Sequence, residues 1–154
     1  QPEFTDLKNL TIETNLTQLF KADFQRFLQG LVAGDYTKTP VHVTWSSSPK
    51  LSISGEHWAK AIKPEVAYQY ANIPNSHLYF KFVVQDEQDI EEVEMAREEY
   101  KKAGVEADIY LMAVGATVEG QAKTSKQVAD LAMQHGYKYS PRLHVDLFGN
   151  KWGT

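Results

Sequence analysis

The sequence predicts an α/β fold with a mostly parallel sheet, and three observations carry that prediction. Five short apolar runs are spread along the 154 residues. Helical patterns fall between them, as in chains that alternate strand and helix. Several of the runs are nearly continuous in apolar residues, which fits strands covered on both faces.

The first run, Leu10–Thr14, is a short strand. Phe20, Phe24, Phe27, Leu28 and Leu31 then recur at helical spacing, and Gly34 supplies the stop. Val41–Trp45 is the second strand. From Lys50 to Pro74 the pattern breaks into short helical pieces punctuated by Pro64 and Pro74. Leu78–Val84 is the third strand. Glu87–Ala103 is the clearest helix, with Ile90, Val93, Ala96 and Tyr100 on one face. Its acids crowd the first turns, Lys101 and Lys102 the last, and Gly104 ends it, all in the sense the helix dipole favours. Asp108–Met112 is the fourth strand. A capping box, Thr124-x-x-Gln127, starts a helix that ends before Gly136, with Val128, Leu131 and Ala132 as its core stripe. Arg142–Phe148 alternates like a fifth strand.

Composition narrows the function classes. A hydrophobic fraction of 42% with 12% aromatics describes one globular domain over residues 1–154. The net charge of −4, with acids and bases interspersed, leaves no basic footprint for nucleic acid. No apolar run reaches membrane-spanning length and no signal-peptide pattern opens the chain, so a cytoplasmic protein is expected. Cysteine is absent, which removes disulfides, thiolate nucleophiles and any cluster or zinc site built from thiolates of this chain.

In parallel α/β sheets ligands sit beyond the carboxyl ends of the strands. The residues there are Glu13-Thr14-Asn15, Ser46 to Lys50, Gln85-Asp86 and Gly115-Ala116-Thr117. Glu13 offers a carboxylate to hydroxyls or ring N–H groups, or else it faces solvent. Ser48 and Lys50 flank Pro49 and suit a carboxylate or phosphate, or else form an ordinary serine-rich loop. His144 alternates with Arg142 and Asp146 on the last run, as a ligand contact or as a half-buried strand residue. No H-E-x-x-H, G-x-G-x-x-G or P-loop pattern is present.

The stretches TIETN, SPKLSISGE, YFKFVVQDEQDIEEV and SPRLHVDLFGNKWGT, in that order, resemble the 7-carboxy-7-deazaguanine synthase family of radical S-adenosylmethionine (SAM) enzymes. The resemblance implies a partial (β/α) barrel. It also implies conversion of 6-carboxy-5,6,7,8-tetrahydropterin to 7-carboxy-7-deazaguanine with SAM, a four-iron four-sulfur cluster and magnesium. By this resemblance Ser48, Lys50 and Gln85 would contact SAM, with the Lys50 ammonium facing its carboxylate. Glu13 and Asn15, in the family's E-T-N-G-T stretch, would line the junction of SAM and pterin. Leu16 stands where the family has glycine, and its side chain is expected to narrow the approach. His144 and a terminal carboxylate on Thr154 would reach the pterin.

The family's C-x-x-x-C-x-x-C loop, its Gly-Gly-Glu-Pro strand end and its magnesium ligand have no counterpart in this sequence. No catalytic residue or metal ligand is therefore assigned, and the chain alone is expected to be inactive. It would correspond to roughly the C-terminal two-thirds of such an enzyme, leaving Leu10–Thr14 at a sheet edge and favouring a homodimer. Two other readings stay open. One is a non-catalytic ligand-binding or interaction domain on a Rossmann-like scaffold; the other is a related organic radical activating enzyme with another substrate.

Overall fold

The computed structural model describes residues 6–115 and 117–148, with residues 144, 146 and 148 described by their backbone alone. Five parallel strands form one open sheet in the order β1-β2-β3-β4-β5. They are β1 (Asn9–Thr14), β2 (His42–Ser47), β3 (Ser76–Val84), β4 (Ile109–Ala113) and β5 (Lys138–Tyr139). The helices are α1 (Ala22–Ala33), α2 (Trp58–Ala61), α3 (Pro64–Ala71), α4 (Glu87–Lys102), α5 (Val118–His135) and α6 (Leu143–Phe148), with a 3-10 turn at Ser52–Ser54. None of the helices described is long and apolar enough to cross a membrane.

A strand order that follows the chain has a direct consequence. Parallel crossovers are right-handed, so crossovers that all step the same way put their helices on the same face. One core cluster accordingly joins Leu28 and Val32 of α1, Tyr70 of α3, Val93 and Tyr100 of α4, and Val128 and Leu131 of α5 to Val43, Trp45, Phe80, Phe82 and Leu111 of the sheet. The opposite face carries Thr11 and Glu13, Thr44 and Ser46, His77, Tyr79 and Lys81, and Tyr110 and Met112. Its residues align across strands in register, with Glu13 opposite Ser46, Ser46 opposite Tyr79, and Lys81 opposite Tyr110. The strands are therefore dry on one face and partly wet on the other, where the sequence suggested cover on both.

Two elements differ from expectation. Arg142–Phe148 is not a strand: residues Leu143–Phe148 form α6, and β5 is the two-residue Lys138–Tyr139 just after α5. That short strand already occupies the edge of β4, with the Ser140 N–H donating to the Leu111 carbonyl. Pro141 follows, and having no N–H it cannot extend the ladder, so the chain leaves the sheet and coils. In α6 the Leu-x-Val-x-Leu alternation that mimicked a strand leaves Leu143 and Leu147 exposed and Val145 buried. The second difference is α5, which starts at Val118 and not at Thr124. Thr117 is its N-cap, accepting from the Gly120 N–H, while Thr124 donates its hydroxyl to the Val114 carbonyl.

Leu16 overturns the expectation that its side chain narrows a ligand approach. The side chain is fully buried in the core, and the residue takes the left-handed backbone conformation, φ 54°, that glycine favours. Its N–H donates to the Thr14 hydroxyl at 3.0 Å. The left-handed conformation costs a leucine about 1–2 kcal/mol, and burying its side chain contributes about 1.5–3 kcal/mol. The turn after β1 thus keeps the glycine-type backbone while gaining a core residue.

Replacing Leu16 separates the two effects. Leu16→Ala loses the burial and keeps the strain, so urea unfolding is expected to show a loss of about 2–4 kcal/mol. Leu16→Gly is expected to retain about 1 kcal/mol more than Leu16→Ala, because glycine relaxes the turn. An alanine variant more stable than the glycine variant would contradict the strained-turn account.

Candidate functional site

The carboxyl ends of β1 and β2 are tied together by a backbone hydrogen bond. The Ser48 N–H donates to the Thr14 carbonyl at 2.7 Å, joining the exits of β1 and β2. Pro49 then directs the chain across the sheet end, and Lys50 borders a cavity of about 150 Å³. Its remaining lining is Pro49, Leu51, Ile53, Ser54, Val83 and Val114. Small-molecule sites run to about 300–1,000 Å³, so this cavity has room for one end of a ligand. Neither the Lys50 ammonium nor the Ser48 hydroxyl has a hydrogen bond or ion pair among the described residues. An ammonium in that position could form a charge-assisted hydrogen bond to an anionic group.

Beyond β3, Gln85 is held by its backbone. Its N–H donates to the Asp89 carboxylate at 2.7 Å, and Asp86 caps α4 by accepting from the Gln88 and Asp89 N–H groups. Burial is the main cause that pushes the Asp89 carboxyl above its ordinary value. The Gln85 side chain lines a separate, acidic cavity with Trp58, Asp86, Glu92 and Met95. Ile53 borders both recesses, so Gln85 and Lys50 sit on either side of the 3-10 turn and do not share a cavity.

Glu13 lies on the partly wet face. Its Oε1 meets the Lys81 ammonium at 2.9 Å and the Ser46 hydroxyl at 3.4 Å. The Lys81 side chain is only 17% exposed whereas that of Glu13 is 79% exposed. Ser46 beneath them is buried although it belongs to the open face. Asn15 falls past the end of β1 and is exposed, so it does not share that face by strand alternation. The side chain of His144 and all of Thr154 lie outside the described residues; the backbone of His144 is in α6, not in a strand.

The loop after β4 reaches the Lys50 recess through Val114. Gly115 has φ 134°, and a Cβ there would lie 2.7 Å from the Gln121 nitrogen. The Gly115 carbonyl accepts from the buried Gln121 side chain at 3.1 Å and from Arg142 at 2.8 Å. Sequence reasoning passed over Lys81 and Gln121, and it placed Ser46 at a strand end without giving it a role. The signal for Lys81 was present in "LYFKFVV", where one charge interrupts an otherwise apolar and aromatic strand.

Fit to the implied groups is uneven. The Lys50 recess suits the carboxylate end of SAM. The iron–sulfur cluster has no donors here, because the chain contains no cysteine, and among the described residues no three His, Asp or Glu side chains converge on a cation site.

Two curated proteins align with the chain. A 7-carboxy-7-deazaguanine synthase of Pyrobaculum aerophilum is 33% identical over 107 residues, covering 69% of this chain and 43% of that protein. A 7-carboxy-7-deazaguanine synthase of Halobacterium salinarum is 40% identical over 74 residues, covering 46% of this chain and 29% of that protein. The aligned stretches thus span less than half the length of these relatives. No protein-family model and no solved structure matches the chain. The chain is a partial match to the 7-carboxy-7-deazaguanine synthase family.

The loop geometry sets a stability contrast between two glycines with positive φ. Gly55→Ala has open space around its new Cβ and is expected to cost about 1 kcal/mol, from backbone strain alone. Gly115→Ala adds the clash with Gln121 and is expected to cost at least about 2 kcal/mol. Equal thermal shifts for the two variants would contradict the described packing of this loop.

Proposed function

We propose, from the partial match to the 7-carboxy-7-deazaguanine synthase family and the surroundings of Lys50, that this chain forms the ligand-facing strand ends of such an enzyme. In that role Lys50 holds the SAM carboxylate, with Ser48 as an adjoining hydrogen-bond partner. Gln85 is a further SAM contact by family resemblance, supplied from the neighbouring recess. Glu13 and Asn15 face the junction with the pterin, and His144 and Thr154 complete the pterin side. SAM, when bound, supplies the radical chemistry that converts 6-carboxy-5,6,7,8-tetrahydropterin to 7-carboxy-7-deazaguanine. The chain alone is inactive in this proposal, because no thiolate of its own is available to hold the cluster that reduces SAM.

The unpaired Lys50 ammonium beside its small apolar recess is the observation that carries the proposal. The strand order weighs against a Rossmann-like alternative. Nucleotide sites on such scaffolds lie where the strand order reverses, and the order here runs β1 to β5 without reversal. A homodimer and a cytoplasmic location belong to the same proposal. Among the described residues β1 pairs only with β2, and Phe24 and Phe27 of neighbouring α1 are exposed. An open strand edge flanked by exposed rings favours pairing with a second copy.

Calorimetric titration with SAM and with 5′-methylthioadenosine, which lacks the amino-acid carboxylate, tests the clamp. Lys50→Ala is expected to weaken SAM about tenfold, the scale of a charge-assisted hydrogen bond, and to leave 5′-methylthioadenosine unchanged. Equal SAM affinity for parent and variant would sink the clamp. Small-angle scattering of a dilute solution is expected to give a mass of two chains, and a one-chain mass would remove the dimer.

A further inference from the structure

We propose that Lys81 is a positioning residue that aims the Glu13 carboxylate at the ligand; this deepens the proposed function and rests on it for the identity of that ligand. Glu13 and Lys81 belong to strands separated by β2, so their backbones run about 10 Å apart. Lys81 also stands two residues nearer the carboxyl end than Tyr79, the residue in line with Ser46 and Glu13. The lysine must therefore reach back diagonally over β2 to meet Glu13 at 2.9 Å.

That reach depends on what lies beneath it. The intervening position is Ser46, among the smallest side chains available, and it is 1% exposed on a face whose other residues are half-buried or exposed. A larger side chain there would occupy the path of the lysine stem. Ser46 also donates its hydroxyl to the same Oε1, at the long distance of 3.4 Å. Three strands thus converge on one carboxylate oxygen.

The asymmetry of exposure indicates the direction of use. Lys81 is nearly buried and Glu13 mostly exposed, at 17% and 79%, so the pair presents the carboxylate outward and keeps the ammonium behind it. A pair with one end this exposed contributes little to stability. Its larger effect is to hold a flexible acid in a single direction before ligand arrives, which reduces the ordering cost of binding. A carboxylate so held suits a planar heterocycle that offers adjacent N–H donors, such as a pterin ring.

The test measures 6-carboxypterin binding by fluorescence for the parent, Glu13→Gln, Lys81→Met, their double variant and Lys81→Arg. Thermal unfolding of each variant checks that the fold is kept. Glu13→Gln and Lys81→Met are each expected to weaken binding about tenfold. The double variant should be no weaker than either, because the residues act as one unit, and Lys81→Arg should restore most of the loss. If Lys81→Met binds as tightly as the parent while Glu13→Gln does not, the proposal is overturned. If the parent does not bind 6-carboxypterin, the pterin assignment fails separately. The Glu13 carboxyl carbon signal of the ligand-free protein then decides the role of Lys81. A signal moved by Lys81→Met but not by Lys81→Arg upholds its hold on Glu13, and an unmoved signal overturns it.

Discussion

All the helices that join these parallel strands pack on one side of the sheet, and the rest of the molecule depends on that. Because the strand order follows the chain, alternate residues of every strand enter a single core while their neighbours are released from it. Trp45, Phe82 and Leu111 are completely buried on the helix side, each contributing about 1.5–3 kcal/mol. The other face is then free to carry Glu13, Ser46, Tyr79 and Lys81 without cost to the core. A doubly wound sheet would have helices over both faces and no such polar field.

The strand ends show how core and site are reconciled. Leu16 accepts a strained backbone so that its side chain can fill the core while the chain turns away from β1. Gly115 needs a conformation no side chain permits there, and its carbonyl anchors both Gln121 and Arg142. Pro49 is buried between Ser48 and Lys50. In each case a backbone constraint lies at or beside the carboxyl end of a strand.

Charge is distributed to match. Lys81 is consumed by Glu13, whereas Lys50 has no partner of its own among the described residues. One cation is therefore paired within the protein, and the other is not. Exposed pairs such as Lys102 with Glu99 on α4 contribute little to stability, and their removal would leave this arrangement intact. The partial coverage of the synthases from Pyrobaculum aerophilum and Halobacterium salinarum is consistent with a site that these residues furnish only in part.

The sequence by itself determined the α/β class, the first four strands to within two residues, helix α4 with its charged ends and its stop at Gly104, and the family resemblance. Each is encoded locally, in apolar periodicity, capping chemistry or a contiguous motif. The last strand was misread because Leu143, Val145 and Leu147 alternate like a strand. Only the tertiary structure reveals that Lys138–Tyr139 already fills the edge of β4 and that Pro141 ends the ladder. Helix α5 was started too late because Thr124 looks like a cap, although its hydroxyl is satisfied by the Val114 carbonyl. Glu13, Ser48 and Lys50 were legible as strand-end residues. Their separation from Gln85 by the 3-10 turn was not, nor was the bridge from Lys81 across Ser46. Those features join residues 33 to 68 positions apart, and no local pattern records which strands become neighbours or how their registers align.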